Sequence, residues 1–162
     1  MKKFDYNGSV LAKMQGNLFS QYSEYEKCSP LIFIRRFMNS ELALRFDNIF
    51  ILKEASSIDS LVEELDEEYG PTSFGDSNLY SKEALYWTGY ILRYWCYVYD
   101  LLSKELIKLI NVKKIIERYP MYHTMDPEYA IQTIVEEDNI VIPKHRNIDE
   151  IFAEYFEYLQ KK

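Results

Sequence analysis

Apolar residues recur along this chain at three- and four-residue intervals, the spacing that lines one face of an α-helix. Val10, Leu11, Met14, Leu18, Phe19 and Tyr22 make such a face and predict a first helix over 9–25. Ser29-Pro30 opens a second, serine as cap and proline in the first turn, with LIFIRRFM as its body. Asn39-Ser40 interrupts that body, and 41–46 reads as a short third helix. The apolar run at 49–52 fits a short strand or a buried link equally well. Beyond Ser56-Ser57, the stripe Ile58, Leu61, Val62 and Leu65 predicts another helix; Ser60 and Glu63 stand at capping-box spacing, and Gly70-Pro71 stops it. Further on, Ser103 starts a helix carrying Leu106, Ile107, Leu109 and Ile110, and 112–119 forms the next, ended by Pro120. Asp126 caps a helix with Pro127 first and Glu128 second, running through Ile131, Ile134 and Val135. After an extended 140–143, Asn147 caps a last helix with Ile151, Phe152, Tyr155, Phe156 and Leu159 on one face.

One segment breaks the amphipathic rule. Residues 80–100 read YSKEALYWTGYILRYWCYVYD, apolar and aromatic nearly all the way round, with Arg93 alone in mid-helix. A helix of that kind is buried among other helices, in a partner or in a membrane. Its length approaches a membrane span. Arg93 at the centre, Thr88 and Gly89 within it, and a bulk of tyrosine, which prefers interfaces, argue against one. Ser81 caps it and Glu83 lies in its first turn, favourable to the helix dipole. With no hairpin signal and no alternation of strands and helices, the fold class is all-α: a compact bundle of about eight helices around a central aromatic helix at 81–102. The 162 residues suit a single domain, with a sub-boundary at 70–80, where PTSFGDSN is loop, and a C-terminal helix at 147–160 that docks loosely or on a partner.

Composition narrows the chemistry. There are 26 acidic against 19 basic side chains, a net charge of −7, which opposes attraction to phosphate backbones and favours basic partners. Acids run unopposed from Glu54 to Glu68. Among them, Glu63, Glu64, Glu67 and Glu68 are candidates for a steering face, against the plainer reading of a solvated helix side. The opposite excess lies at 104–118, where Lys104, Lys108, Lys113, Lys114 and Arg118 outnumber Glu105 and Glu117. The helices at 103–119 imitate a helix-turn-helix, but without the usual glycine in the turn, so DNA recognition is the alternative rather than the leading function.

Catalytic patterns are thin. The two cysteines, Cys28 and Cys96, form no CxxC pair, and neither has a local histidine to activate it. The two histidines, His123 and His145, are too few for a metal site without carboxylates. His123 near Asp126 permits a base oriented by a carboxylate; the competing reading makes Asp126 a helix cap and His123 part of the preceding turn. There is no phosphate loop, and no cofactor is expected. The aromatic set poses a sharper question, because so many rings cannot all point inward from one helix. Trp87, Arg93 and Trp95 are therefore candidates for a structural or partner-binding centre.

The strings FIRRFMNSELA at 33–43, ELDEEYG at 64–70, EALYWTGYILRYWCYVYD at 83–100 and YHTMDPEYAIQTI at 122–134 resemble a group of small bacterial antitoxin-like proteins. Members of that group are often encoded beside a protein with an ADP-ribosyltransferase-like domain. The resemblance covers about 31–135 and leaves 140–162 outside. It implies a neutralising or regulatory partner protein and transfers no active-site residue; the leading reading is a non-catalytic module that neutralises a cognate toxin by occlusion. The expectation is thus a cytoplasmic interaction protein, not an enzyme, with a protein partner of basic surface, no membrane association, and self-association compatible with the sequence.

Overall fold

The computed structural model describes residues 1–143 and 148–162. His145 and the proposed cap Asn147 lie outside the described residues. Among those described there is no strand, as the periodicity predicts, and there are ten α-helices rather than about eight: α1 Tyr6–Gln21, α2 Pro30–Met38, α3 Glu41–Asp47, α4 Ile58–Tyr69, α5 Lys82–Tyr99, α6 Ser103–Leu109, α7 Val112–Glu117, α8 Tyr119–Tyr122, α9 Pro127–Glu137 and α10 Ile148–Gln160. Two short 3-10 helices, Tyr22–Glu24 and Phe50–Lys53, join them, the second settling the ambiguous run at 49–52.

Caps decide where the helices begin. Ser29, Ser40, Ser57, Ser81, Asn111 and Asp126 each accept a hydrogen bond from a backbone N–H of the first turn. Some boundaries differ from the sequence reading, α1 running Tyr6–Gln21 rather than 9–25. The capping box of α4 pairs Ser57 with Ser60, not Ser60 with Glu63, because the helix starts three residues earlier than that spacing assumed. Ser103 starts α6, as the sequence reading has it, and the Glu105 carboxylate accepts the Leu102 N–H just ahead of it. Pro120 does not end the helical run. Its missing N–H is harmless in the first turn of a new helix, so α8 restarts directly behind α7.

The bundle is organised on α1 and α5, which cross antiparallel and close. Gly8 of α1 sits against Tyr97 and Gly16 against Tyr86. At the crossing itself, a Cβ on Gly89 would lie 2.5 Å from the Gln15 carbonyl oxygen, so only glycine allows the backbones to touch. From 91 to 98 every residue of α5 is buried, enclosed by α1 and the helices that follow. Towards its start the helix opens: Tyr86, Trp87 and Tyr90 are only half-buried. Phe19, Phe33, Phe37 and Phe46 fill the other side of the core with edge-to-face ring contacts. The loop at 70–80 packs back on α2 through a Ser29 N–H to Phe74 O bond of 2.9 Å and an Arg36 guanidinium to Gly70 O bond of 2.6 Å. Helix α10 adds a satellite contact, Ile151 against Leu44 and Leu102. No helix is long and apolar enough to cross a membrane among the described residues.

Candidate functional site

The charge in the middle of α5 is paired inside the protein. Arg93 is 1 % exposed and Asp47, at the end of α3, is 3 % exposed. The guanidinium donates to Asp47 Oδ1, to Gln15 Oε1 at 2.8 Å and to Ser103 Oγ at 2.6 Å. Asp47 in turn accepts the Ser103 N–H at 3.0 Å and its hydroxyl at 2.7 Å. Gln15 also donates to the Gly89 carbonyl at 3.0 Å. Each side-chain nitrogen and oxygen of the group has a hydrogen-bond partner, the condition under which a buried ion pair is tolerated. Four helices, α1, α3, α5 and α6, are tied by it. Arg93 therefore belongs to the interior, as does Trp95 at 0 % exposure.

Trp87 is placed differently. With Tyr86, Tyr90 and Glu83 it lines the open side of α5, and α8 with the start of α9 forms the facing wall through Tyr119, His123, Met125 and Pro127. The hollow between them measures about 430 Å³. The Trp87 and Tyr119 rings stand 6.2 Å apart at 58°, and Tyr86 and Tyr90 stack at 6.4 Å. Tyr86 is held from behind by Gly16 of α1, where any larger residue would collide with its ring. His123 lies against Tyr119 at 4.5 Å and bonds the Tyr119 carbonyl through Nδ1 at 2.7 Å. A carbonyl only accepts, so Nδ1 carries the proton and, in the neutral ring, Nε2 is left as an acceptor. Exposed Met121 and Tyr129 flank this wall.

The His123–Asp126 pair is not assembled as a dyad. Asp126 Oδ1 accepts the Glu128 and Tyr129 N–H groups, capping α9, while His123 turns back onto Tyr119. Both thiols lie in the core, where burial pushes Cys28 and Cys96 up to about 12, far from thiolate chemistry at neutral pH. No group of three metal-ligating side chains occurs among the described residues.

The acidic face is partly engaged within the chain. Glu64 and Glu54 both bind Arg45, and Glu68 accepts the Glu41 N–H at the start of α3. Glu63 and Glu67 remain exposed. The basic stretch is similarly reduced. Arg118 is clamped by Asp138 and Glu137, Lys113 pairs with Glu117, and Lys104 lies over the Tyr155 ring, leaving Lys108 and Lys114 exposed.

A second hollow, about 590 Å³, lies beneath α10 with Asp47, Arg93 and Cys96 on its floor. Ile49 and Asp100, both with positive φ (62° and 52°), border it. Its two central charges are already matched to each other. Sequence reasoning identified the aromatic half of the groove but not Tyr119, Met125 or Glu83 as its walls. The four-residue spacing of Tyr119 and His123 is the available signal, and Pro120 between them obscured it by suggesting a helix stop. Comparison with protein-family models, with curated proteins and with solved structures finds no match for this chain.

Proposed function

We propose that this chain is a non-catalytic protein-interaction module, an antitoxin-like partner that binds a cognate toxin and blocks it by covering its active cleft. The observation that carries the reading is the exposed aromatic groove around Trp87, on a helix whose other half is sealed in the core. Aromatic and methionine side chains held rigid at a surface are the usual anchors of protein interfaces. Glu63 and Glu67, exposed, and the net charge of −7 favour a partner with a basic surface and speed its encounter. The resemblance of the strings at 33–43, 64–70, 83–100 and 122–134 to antitoxin-like proteins supports the same role.

The test is co-expression with the product of the adjacent gene. This chain should relieve that protein's toxicity and co-purify with it. Trp87→Ala should weaken the complex by about 30-fold or more, the loss expected for a buried tryptophan anchor at roughly 2 kcal/mol. Failure of the two purified proteins to associate at micromolar concentration refutes the reading.

A further inference from the structure

We infer that the groove between α5 and α8 is a receptor for an arginine side chain presented by the partner. The inference rests on the interaction reading for the source of the arginine, and on the groove alone for the chemistry. Three observations carry it. First, the walls are aromatic faces: Trp87 and Tyr119 stand 6.2 Å apart at an open angle, with Tyr86 and Tyr90 continuing the α5 side. Ring faces are negative and attract a cation set against them, tryptophan most strongly. Second, the one charged side chain in the lining is a carboxylate, Glu83, and it makes no ion pair among the described residues. Glu83 stands three, four and seven residues before Tyr86, Trp87 and Tyr90, so helix geometry places all four on one side of α5. Third, because Nδ1 of His123 donates to the Tyr119 carbonyl, the ring in its neutral form adds an acceptor, Nε2, to the opposite wall.

Aromatic faces, a carboxylate and a ring acceptor select a cation that is flat and rich in donors. A guanidinium stacks on rings and bonds a carboxylate through two parallel N–H groups. An ammonium is a strongly hydrated point charge and uses the faces less well. An uncharged aliphatic chain gains only the apolar contact. The rigidity of the walls, with Tyr86 pinned on Gly16 and Trp87 rooted in α5, removes much of the ordering cost that a mobile site would carry.

The chain has two tryptophans, and Trp95 is wholly buried. Its indole N–H has no hydrogen-bond partner among the described residues, so Trp95→Phe leaves no acceptor stranded and makes Trp87 the sole reporter. The variant is titrated with acetyl-Gly-Gly-Arg-Gly-Gly-amide and with the same peptide carrying lysine or norleucine in place of arginine. The arginine peptide should give a saturable change in Trp87 emission, the lysine peptide a weaker one and the norleucine peptide none. Glu83→Gln should weaken the arginine peptide about tenfold while lowering the melting temperature by no more than about 4 °C, the small cost of taking a first-turn carboxylate from the helix dipole. Should Trp95→Phe fail to fold, the Trp87 indole N–H resonance of the unaltered protein, assigned through Trp87→Phe, reads the same titrations. Equal responses to arginine and norleucine, no response to arginine, or indifference to Glu83→Gln overturns the inference. The two proposals fail separately. A complex with the partner that is lost on Trp87→Ala but unmoved by Glu83→Gln sinks the arginine receptor and leaves the interaction reading. Arginine-selective binding with no partner complex does the reverse.

Discussion

Glu26 offers a test of how well the interior is understood. It follows the 3-10 turn Tyr22–Glu24, is 8 % exposed, and carries a buried Oε2 with no hydrogen-bond partner among the described residues. Burial first, and then the hydrogen-bonded Asp66 carboxylate, push its proton affinity up from the ordinary 4.5 to about 7. Between these two values the folded protein holds a proton that the unfolded chain has released. Stability therefore falls as pH rises from about 4.5 through about 7 and is level above that, the reverse of a salt-bridged carboxylate. At about 1.4 kcal/mol per pH unit the whole gap is worth roughly 3 kcal/mol. Sharing of the proton with Asp66 and partial access of solvent reduce this to about 1–2 kcal/mol. Glu26→Gln keeps the shape and discards the charge. The variant should match the parent near pH 5 and exceed it at pH 8 by that amount, a rise in melting temperature of about 2–8 °C for a chain of this size. Urea melts of both proteins at half-unit steps from pH 5 to pH 8 measure the difference directly, and subtracting one from the other cancels the shared carboxylates that do not interact with Glu26. A difference flat across that range, or a variant less stable at pH 8, refutes the reasoning.

Three further outcomes follow from the packing. Asp47→Ala strands the Arg93 guanidinium in the core and should lower the unfolding free energy by about 3–5 kcal/mol in denaturant melts, with Asp47→Asn milder because it still accepts from Ser103; a loss below about 1 kcal/mol would mean the network is not closed as described. Gly89→Ala forces a Cβ to 2.5 Å from the Gln15 carbonyl oxygen. It should destabilise by about 1–3 kcal/mol even though alanine favours the helix itself, and a net gain would show that α1 and α5 can slide apart freely. Cys28 and Cys96, buried and pushed up to about 12, should react with a thiol reagent only as fast as the protein unfolds, so prompt labelling of either in the native protein contradicts their placement.

Much of the architecture could be read from local signals, because caps and periodicity act within a few residues. Ser29-Pro30, Ser81 and Asp126-Pro127 mark helix starts where the structure has them, and Gly70 ends α4 with a φ of 81°. What local pattern cannot convey is who meets whom. Arg93 stood out as a lone charge, yet its partners Gln15 and Asp47 lie 78 and 46 residues away and look ordinary in their own segments. The two tryptophans of α5 read alike in sequence. They differ because the neighbours of α5 close around 91–98 and leave the start of the helix open, a tertiary fact. The acidic run likewise read as one surface, while Arg45 and the start of α3 draw Glu64 and Glu68 into the chain's own contacts.

The crossing of α1 on α5 also bears on how the chain is made. Gln15 and Gly89, in contact there, are separated by 74 positions, so the N-terminal helix emerges long before its seat exists. At about 5–20 residues per second the delay is roughly 4–15 s, during which Leu11, Leu18 and Phe19 have no permanent cover. Closing so wide a loop must precede the gain from joining its ends, which makes this docking a natural slow step of assembly. A nascent chain stalled before α5 would present a greasy, unpartnered helix to whatever chaperone is at hand.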